Sequence, residues 1–436
     1  MNKPLICLYF QVHQPYRLRD LRINDIGKGE PLYFDAEKNR SVFRKVAEKC
    51  YLPANALILE LLRTYPDFHV AYSLSGVFLD QCEEYGQDVL DSFRALAATG
   101  KAEFLAETSH HSLSALRSVG EFAEQVRSQV KRVEKLFGQT PQIFRNTELI
   151  YSNELAQMAR LMGFRGILAE GADHLLRGRS PNEPFVPPSF RLPRKVEAAI
   201  ANARPLTTRS EQIHVLLKNY RLSDDVAFRF SDKSWVGFPL HADTFTNWLT
   251  GGGGHSVNLF MDYETFGEHQ WADTGIFEFL RALPRVWQER GIKAATPSQV
   301  LDAWESEHTQ EYDVHNVISW ADMERDLSAW QGNRIQNAAL DAVFALEHAV
   351  KETGNPLLLE IWRKLLTSDH FYYMSTKYWS DGDVHKYFSP YDSPYEAYRR
   401  YSHALCDLRQ RLNEGEGRKV RKGRKGRKVS ETSLDE

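Results

Sequence analysis

The chain has 436 residues, 42% hydrophobic and 26% charged, with a net charge of −3. That is room for a large domain and a smaller one, and it argues against a generally cationic protein that wraps nucleic acid. Four scattered cysteines, Cys7, Cys50, Cys82 and Cys406, form no CxxC pair, so neither a disulfide framework nor a cysteine-rich zinc site is indicated. The opening "MNKPLICLYFQVHQP" is too short an apolar run for a signal peptide. No run approaches the ~18 apolar residues of a membrane helix, so a cytoplasmic protein without membrane contact is expected. Nine tryptophans and nineteen tyrosines suit a site that stacks on sugars or bases, although large cores also absorb aromatics.

Seven apolar runs read as strands: 5–14, 68–76, 102–107, 142–148, 165–171, 213–219 and 256–264. Several are continuous rather than alternating, as expected of parallel strands covered on both faces. Helices lie between many of them. "SVGEFAEQVRSQVKRVEKLFG" starts on a capping box, Ser118 and Glu121, and ends at Gly138. "TPSQVLDAW" repeats the start signal at Thr296, Pro297 and Gln299. Alternation of strand and helix predicts a parallel barrel or a doubly wound sheet over residues 1–305.

Beyond residue 305 strand-like runs cease. Helical spacing and a capping box at Ser393 and Glu396 predict an α-helical C-terminal domain over 306–412. Residues 413–436 differ in kind, with eight Lys or Arg between Arg418 and Lys428. Almost no apolar content remains there to bury, so a basic disordered tail is expected. It serves solubility or contacts a polyanion; otherwise nucleic acid is not an expected partner.

In a parallel barrel, functional groups gather at the carboxyl ends of strands. The first run ends with His13 and Gln14, and the third with Glu107, His110 and His111. The fourth ends with Arg145, Asn146 and Glu148, and the last with Asp262 and Glu264. Each alone is ordinary, but a purely structural barrel has no need of acids and histidines at four strand ends. Two carboxylates about 5–5.5 Å apart suit retaining glycoside hydrolysis, with one as nucleophile and the other as general acid/base. Asp262 and Glu264 point the same way along a strand, so their division of labour stays open at this point. The glycine run at 250–256 lacks the lysine of a phosphate-binding loop and reads as a flexible loop or as a rim over the cleft. Trp235, Trp248 and Trp271 can stack on sugar rings or pack in the core.

"HQP" at 13–15, "AETSHHSLSAL" at 106–116, "FRNTELIYSN" at 144–153 and "MDYETFGEH" at 261–269 resemble, in order, the motifs of glycoside hydrolase family 57. The stretch "SDHFYYMSTKYWSDGDVHKYFSPYDSPYEAY" at 368–398 looks like its α-amylase-type branch. The resemblance implies a seven-stranded (β/α) barrel followed by a helical domain, and retaining action on α-1,4-glucans such as starch, glycogen or maltooligosaccharides. It implies no cofactor and no metal. By motif match the nucleophile falls on Glu148 and the acid/base on Asp262, with Glu264 in support. Substrate binding is expected of His13, Gln14, His111, Glu264 and Trp271. Alternatives are transfer to a sugar hydroxyl by a 4-α-glucanotransferase or branching enzyme, a metal-dependent carbohydrate deacetylase using His13, His110, His111 and Asp262, and a non-catalytic glucan-binding protein.

Overall fold

The structure is a computed structural model that describes residues 3–201, 211–305, 309–377 and 388–431. Each of the seven apolar runs forms a strand. They are β1 (Leu5–Val12), β2 (Val70–Leu74), β3 (Ala102–Phe104), β4 (Ile143–Arg145), β5 (Gly166–Glu170), β6 (His214–Lys218) and β7 (Ser256–Asp262). All pairings are parallel, in the orders β3-β2-β1-β7 and β4-β5-β6.

The two sheets meet at their edges. A parallel bridge joins Ala106, beyond β3, to Phe144 of β4. Asn219, just past β6, donates its N–H to the Asn258 carbonyl of β7 at 2.9 Å, and Asn258 Nδ2 donates to the Leu217 carbonyl at 2.9 Å.

Side chains along the strands alternate between two destinations, as the pleat requires. Cys7, Tyr9, Ala71, Ile143, Leu168, Leu216 and Phe260, with Leu105 just past β3, form one interior cluster drawn from all seven strands or their ends. Ile6, Leu8, Phe10, Val257, Leu259 and Met261 face the opposite way, into a core under the helices. Phe144, Ile167, Ala169, Val215 and Leu217 do the same on the second sheet. Both faces are therefore dry, which explains why the runs are continuously apolar. At roughly 1.5–3 kcal/mol per large side chain, this burial dominates the stability of the unit.

The expected helix caps form. Ser118 accepts from the Glu121 N–H before the helix Val119–Phe137, which ends on left-handed Gly138. Thr296 and Gln299 make a reciprocal capping box before Pro297–Asp302. The glycine run sits before β7, at the amino end of that strand. Gly254 packs there on Asn182, where a Cβ would come within 2.7 Å of the Asn182 carbonyl oxygen, at a φ of +97°. It therefore lies away from the strand ends that carry the candidate site.

The chain divides into two compact units: residues 1–15 with 40–327, and residues 16–39 with 328–436. This differs from the 305/306 boundary read from the sequence. Bridges from Tyr151 to Ile318 and from Val186 to Glu311 hold residues 311–318 to the first unit. Within the second unit, segment 16–39 meets the last helix, Pro394–Glu431. His403 Nδ1 is 2.7 Å from the Leu21 carbonyl, and Arg399 pairs with Asp20 at 2.8 Å. The helical part is built around buried Trp330, Trp362, Phe371 and Tyr401. Trp362 Nε1 donates to the Val343 carbonyl at 2.8 Å, and the Tyr401 hydroxyl to the Leu365 carbonyl at 2.9 Å.

The last helix continues as backbone to Glu431, through the segment expected to be disordered. No proline interrupts Arg418–Lys428, and Lys and Arg are good helix formers. Residues 378–387, inside the motif at 368–398, lie outside the described residues. Among the described residues, no helix is long and apolar enough to cross a membrane.

Candidate active site

Parallel pairing sends every strand's carboxyl end to the same side, and register fixes which ends are neighbours. Gln11 of β1 stands opposite Asp262 of β7, and Val12 opposite Leu74 of β2. Two residues past Gln11, His13 is half-buried and its Nδ1 lies 2.7 Å from Ser75 Oγ. Its ring stacks on that of His111, with centroids 4.0 Å apart and planes 21° apart.

His111 follows a turn in which its N–H donates to the Thr108 carbonyl at 3.1 Å, and it adopts a φ of +48°. Its Nδ1 lies 3.1 Å from Glu107 Oε2 and its Nε2 lies 3.1 Å from Glu148 Oε1. Burial works against its charged form, but the hydrogen bonds to Glu107 and Glu148 and their negative charges outweigh it. The imidazole pKa rises to about 9. His111 is thus an imidazolium between two acids at neutral pH.

β4 ends at Arg145, and the chain then turns through Glu148 (φ +57°) and Leu149 (φ +48°), two consecutive non-glycine residues in the left-handed region. Each costs on the order of 1–3 kcal/mol and persists only where its surroundings over-determine it. Here Leu149 is fully buried in the interior cluster, and its N–H reaches the Asn146 carbonyl at 3.0 Å. The result aims the Glu148 carboxylate at two donors. Besides His111, Trp320 Nε1 donates to Oε2 at 2.8 Å.

Asp262 ends β7, partly buried. Burial raises its pKa to about 6, helped by the negative charge of Glu148 and opposed by Arg145, Lys218 and His111. Glu264, two residues on, is buried, and burial followed by the Asp262 charge lifts its pKa to about 8. The Tyr51 hydroxyl donates to Glu264 Oε1, and the His13 backbone N–H also reaches this carboxyl. Gln14 bonds the Tyr51 hydroxyl through its side chain, and its carbonyl accepts from Gln81 Nε2 at 2.7 Å. The tight return after Glu264 depends on Gly267, whose φ is +112° and where a Cβ would stand 1.9 Å from the Lys49 carbonyl oxygen.

The structure therefore brings together His13, Gln14, His111, Glu148, Asp262 and Glu264. Trp271 stands at the surface, 58% exposed, with Lys49 Nζ 5.3 Å from its ring centroid. Trp235 and Trp248 pack edge-on against each other and border the core under the helices. His110 bonds Ser109 Oγ through Nδ1 at 2.8 Å, and its N–H donates to Gln125 Oε1 at 3.3 Å. Among the described residues, no three His, Cys, Asp or Glu gather in a way that could hold a metal ion.

Sequence reasoning passed over several neighbours. Tyr51 lies in a π-helical turn, Ala47–Tyr51, with no local signal for its role. Arg145, already noted at the end of the fourth strand, is fully buried, its guanidinium 5.0 Å from the Trp320 ring centroid. Lys218, the last residue of β6, lies 5.3 Å from the same ring. A reading of every strand end, β5 and β6 included, would have found Glu170 and Lys218.

A parallel α/β fold whose strand ends gather carboxylates around an imidazolium is a framework for acid–base chemistry. Residues 7–315 match the profile of Glycosyl hydrolase family 57. A relative from Methanocaldococcus jannaschii named "Putative alpha-amylase" is 41% identical over 423 residues, which cover 94% of this chain and 85% of the relative. Among solved structures, a branching enzyme from Pyrococcus horikoshii is similar at a TM-score of 0.64 and 17% identity, covering 96% of this chain and 94% of that one. A 4-α-glucanotransferase from Thermococcus litoralis is similar at a TM-score of 0.61 and 16% identity; the match covers 85% of this chain and 56% of that enzyme. The chain belongs to glycoside hydrolase family 57.

Proposed function

We propose that this chain is a retaining glycosidase of α-1,4-glucans, α-amylase-like in its reaction, with Glu148 as nucleophile and Asp262 as general acid/base. One observation carries the reading. A carboxyl group with a partner at each oxygen, Glu148, sits close enough to Asp262 for its negative charge to help burial raise the Asp262 pKa to about 6. That is the asymmetry double displacement needs: one acid ionised to attack, the other protonated to assist departure.

Glu148 attacks the anomeric carbon while Asp262 gives its proton to the departing glycosidic oxygen. Asp262, now ionised, takes a proton from the incoming water, and water displaces Glu148 with net retention. His111, as an imidazolium, holds Glu148 in its ionised form. His13 and Gln14 border the sugar-binding cleft in this reading, and Trp271 offers a ring face at its rim. We further propose that the two sheets form one seven-stranded (β/α) barrel followed by the helical domain. The links at both pairs of sheet edges and the interior cluster drawn from the seven strands or their ends support it.

The test is product analysis by proton NMR on maltooligosaccharides and amylose, with wild type and Glu148→Gln. The α-anomer should appear first, and the variant should keep its fold and lose turnover. An initial β-anomer, or near-wild-type turnover by the folded variant, would overturn the proposal. The same spectra identify the acceptor, since transfer to a 4-hydroxyl lengthens chains and transfer to a 6-hydroxyl adds branches.

A further inference from the structure

The loop Ser319–Asp326 lies beyond the last strand, yet it reaches the candidate nucleophile. Trp320 contacts Glu148 twice: its backbone N–H donates to the Glu148 carbonyl at 3.3 Å and its indole N–H to Oε2 at 2.8 Å. The loop closes on itself through Ser319 N–H to the Arg325 carbonyl at 3.2 Å and Ser319 Oγ to the Asp326 carbonyl at 2.7 Å. Arg325 also donates to the Trp320 carbonyl. Its guanidinium then latches the loop onto the end of β5, 3.6 Å from Glu170, and onto the helix Tyr220–Ala227, 4.0 Å from Asp224 and above the Tyr220 ring at 4.9 Å.

Two features make this more than packing. Asp322 and Arg325 both take a φ of +54°. With His111, Glu148 and Leu149, five of the six left-handed non-glycine residues among the described residues thus fall in the site or in this loop. Such strain concentrates where geometry is held for a purpose. The second feature is charge. Arg145 and Lys218 both lie against the Trp320 ring, at 5.0 and 5.3 Å from its centroid. Cations over the ring draw electron density from it and make the N–H a stronger donor.

We propose that Trp320 is a positioning residue for Glu148, its indole N–H fixing Oε2 and favouring the ionised carboxylate that attacks. The inference rests on the reading of Glu148 as nucleophile. The charged groups facing this pair are His111 and Asp262 around the carboxylate, Arg145 and Lys218 around the indole, and Glu170, Asp224 and Arg325 behind the loop.

The experiment compares wild type with Trp320→Phe and with benzothienylalanine at position 320, which keeps the indole's shape but puts sulfur in place of its N–H. Protein carrying 13C-labelled glutamate carboxyls is titrated by NMR, and the Glu148 resonance is assigned by its loss in Glu148→Gln. Both variants should raise the Glu148 titration midpoint by about one pH unit, because a hydrogen bond to the charged form has been removed. kcat/KM on maltooligosaccharides should fall roughly 10²-fold, with its acid limb displaced in the same direction. A folded variant with an unmoved midpoint and an unmoved acid limb overturns the proposal. The two readings fail separately: absence of glucan turnover by wild type counts against the proposed function, while the titration still decides the role of Trp320.

Discussion

His111 Nε2 stands 3.1 Å from Glu148 Oε1, while Nδ1 of the same ring stands 3.1 Å from Glu107. The imidazole pKa, about 9, lies above its ordinary 6.5. A group raised on folding stabilises the folded state fully below its unfolded pKa and loses that contribution as pH climbs through the folded value. Wild type should therefore lose stability between about pH 6.5 and 9 for this reason, and His111→Asn should lack that share of the decline. Tm measured across this range on both proteins checks it. Parallel curves would mean that the imidazolium contributes nothing.

Asp262, at a pKa of about 6, sets the upper working limit of the proposed reaction. kcat/KM on maltooligosaccharides should fall as pH rises through about 6, where the acid loses its proton. Arg145 favours the ionised form of Asp262. Removing that cation in Arg145→Met should move the basic limb to higher pH. A limb that stays put, or moves down, would detach it from Asp262. Asp262→Asn should impair glucans severely and activated aryl glucosides less at the first step, since good leaving groups need little protonation.

Glu264 reverses the usual carboxylate pattern. Its folded pKa, about 8, is above the ordinary 4.5, so the folded state holds a proton that the unfolded chain releases. Stability then falls as pH rises from about 4.5 to 8 and levels off above. Glu264→Gln, neutral throughout, should be more stable than wild type at pH 8 and closer to it at pH 4.5. Chemical denaturation at the two pH values gives the comparison; an equal offset at both would count against a protonated Glu264.

Deleting residues 415–436 should leave Tm and turnover on neutral oligosaccharides largely unchanged. Apolar residues are nearly absent from this segment, so little burial is lost. Any association of its eight clustered cations with an acidic surface should weaken with added salt. A large fall in Tm or turnover would mean that the segment packs on the folded protein.

The strands were legible because burial on both faces leaves a local trace, a short and continuously apolar run. The proposed carboxylates were legible through their motifs, which sit where strands end. Trp320 left no such trace. It lies past the last strand, in a stretch read as part of the helical domain, and is carried toward Glu148 by long-range links such as the pairing of Tyr151 with Ile318. Tyr51 is similar: a π-helical turn brings its hydroxyl to Glu264 across 213 residues. Periodicity reports which side of an element is buried, and it is silent on what a distant loop brings to it. Segment 16–39 was missed for the same reason, since its partners are more than 370 residues away.

The separation of 172 residues between Glu148 and Trp320 also orders events during synthesis. A nascent chain extended only through β7 already carries Glu148 and Asp262, with His111 beside the former. It still lacks the indole that meets Glu148 Oε2. The carboxylate thus acquires its second partner only after the loop at 319–326 has been translated. Ribosome-bound chains halted between β7 and residue 319 would carry Glu148 and Asp262 but not Trp320.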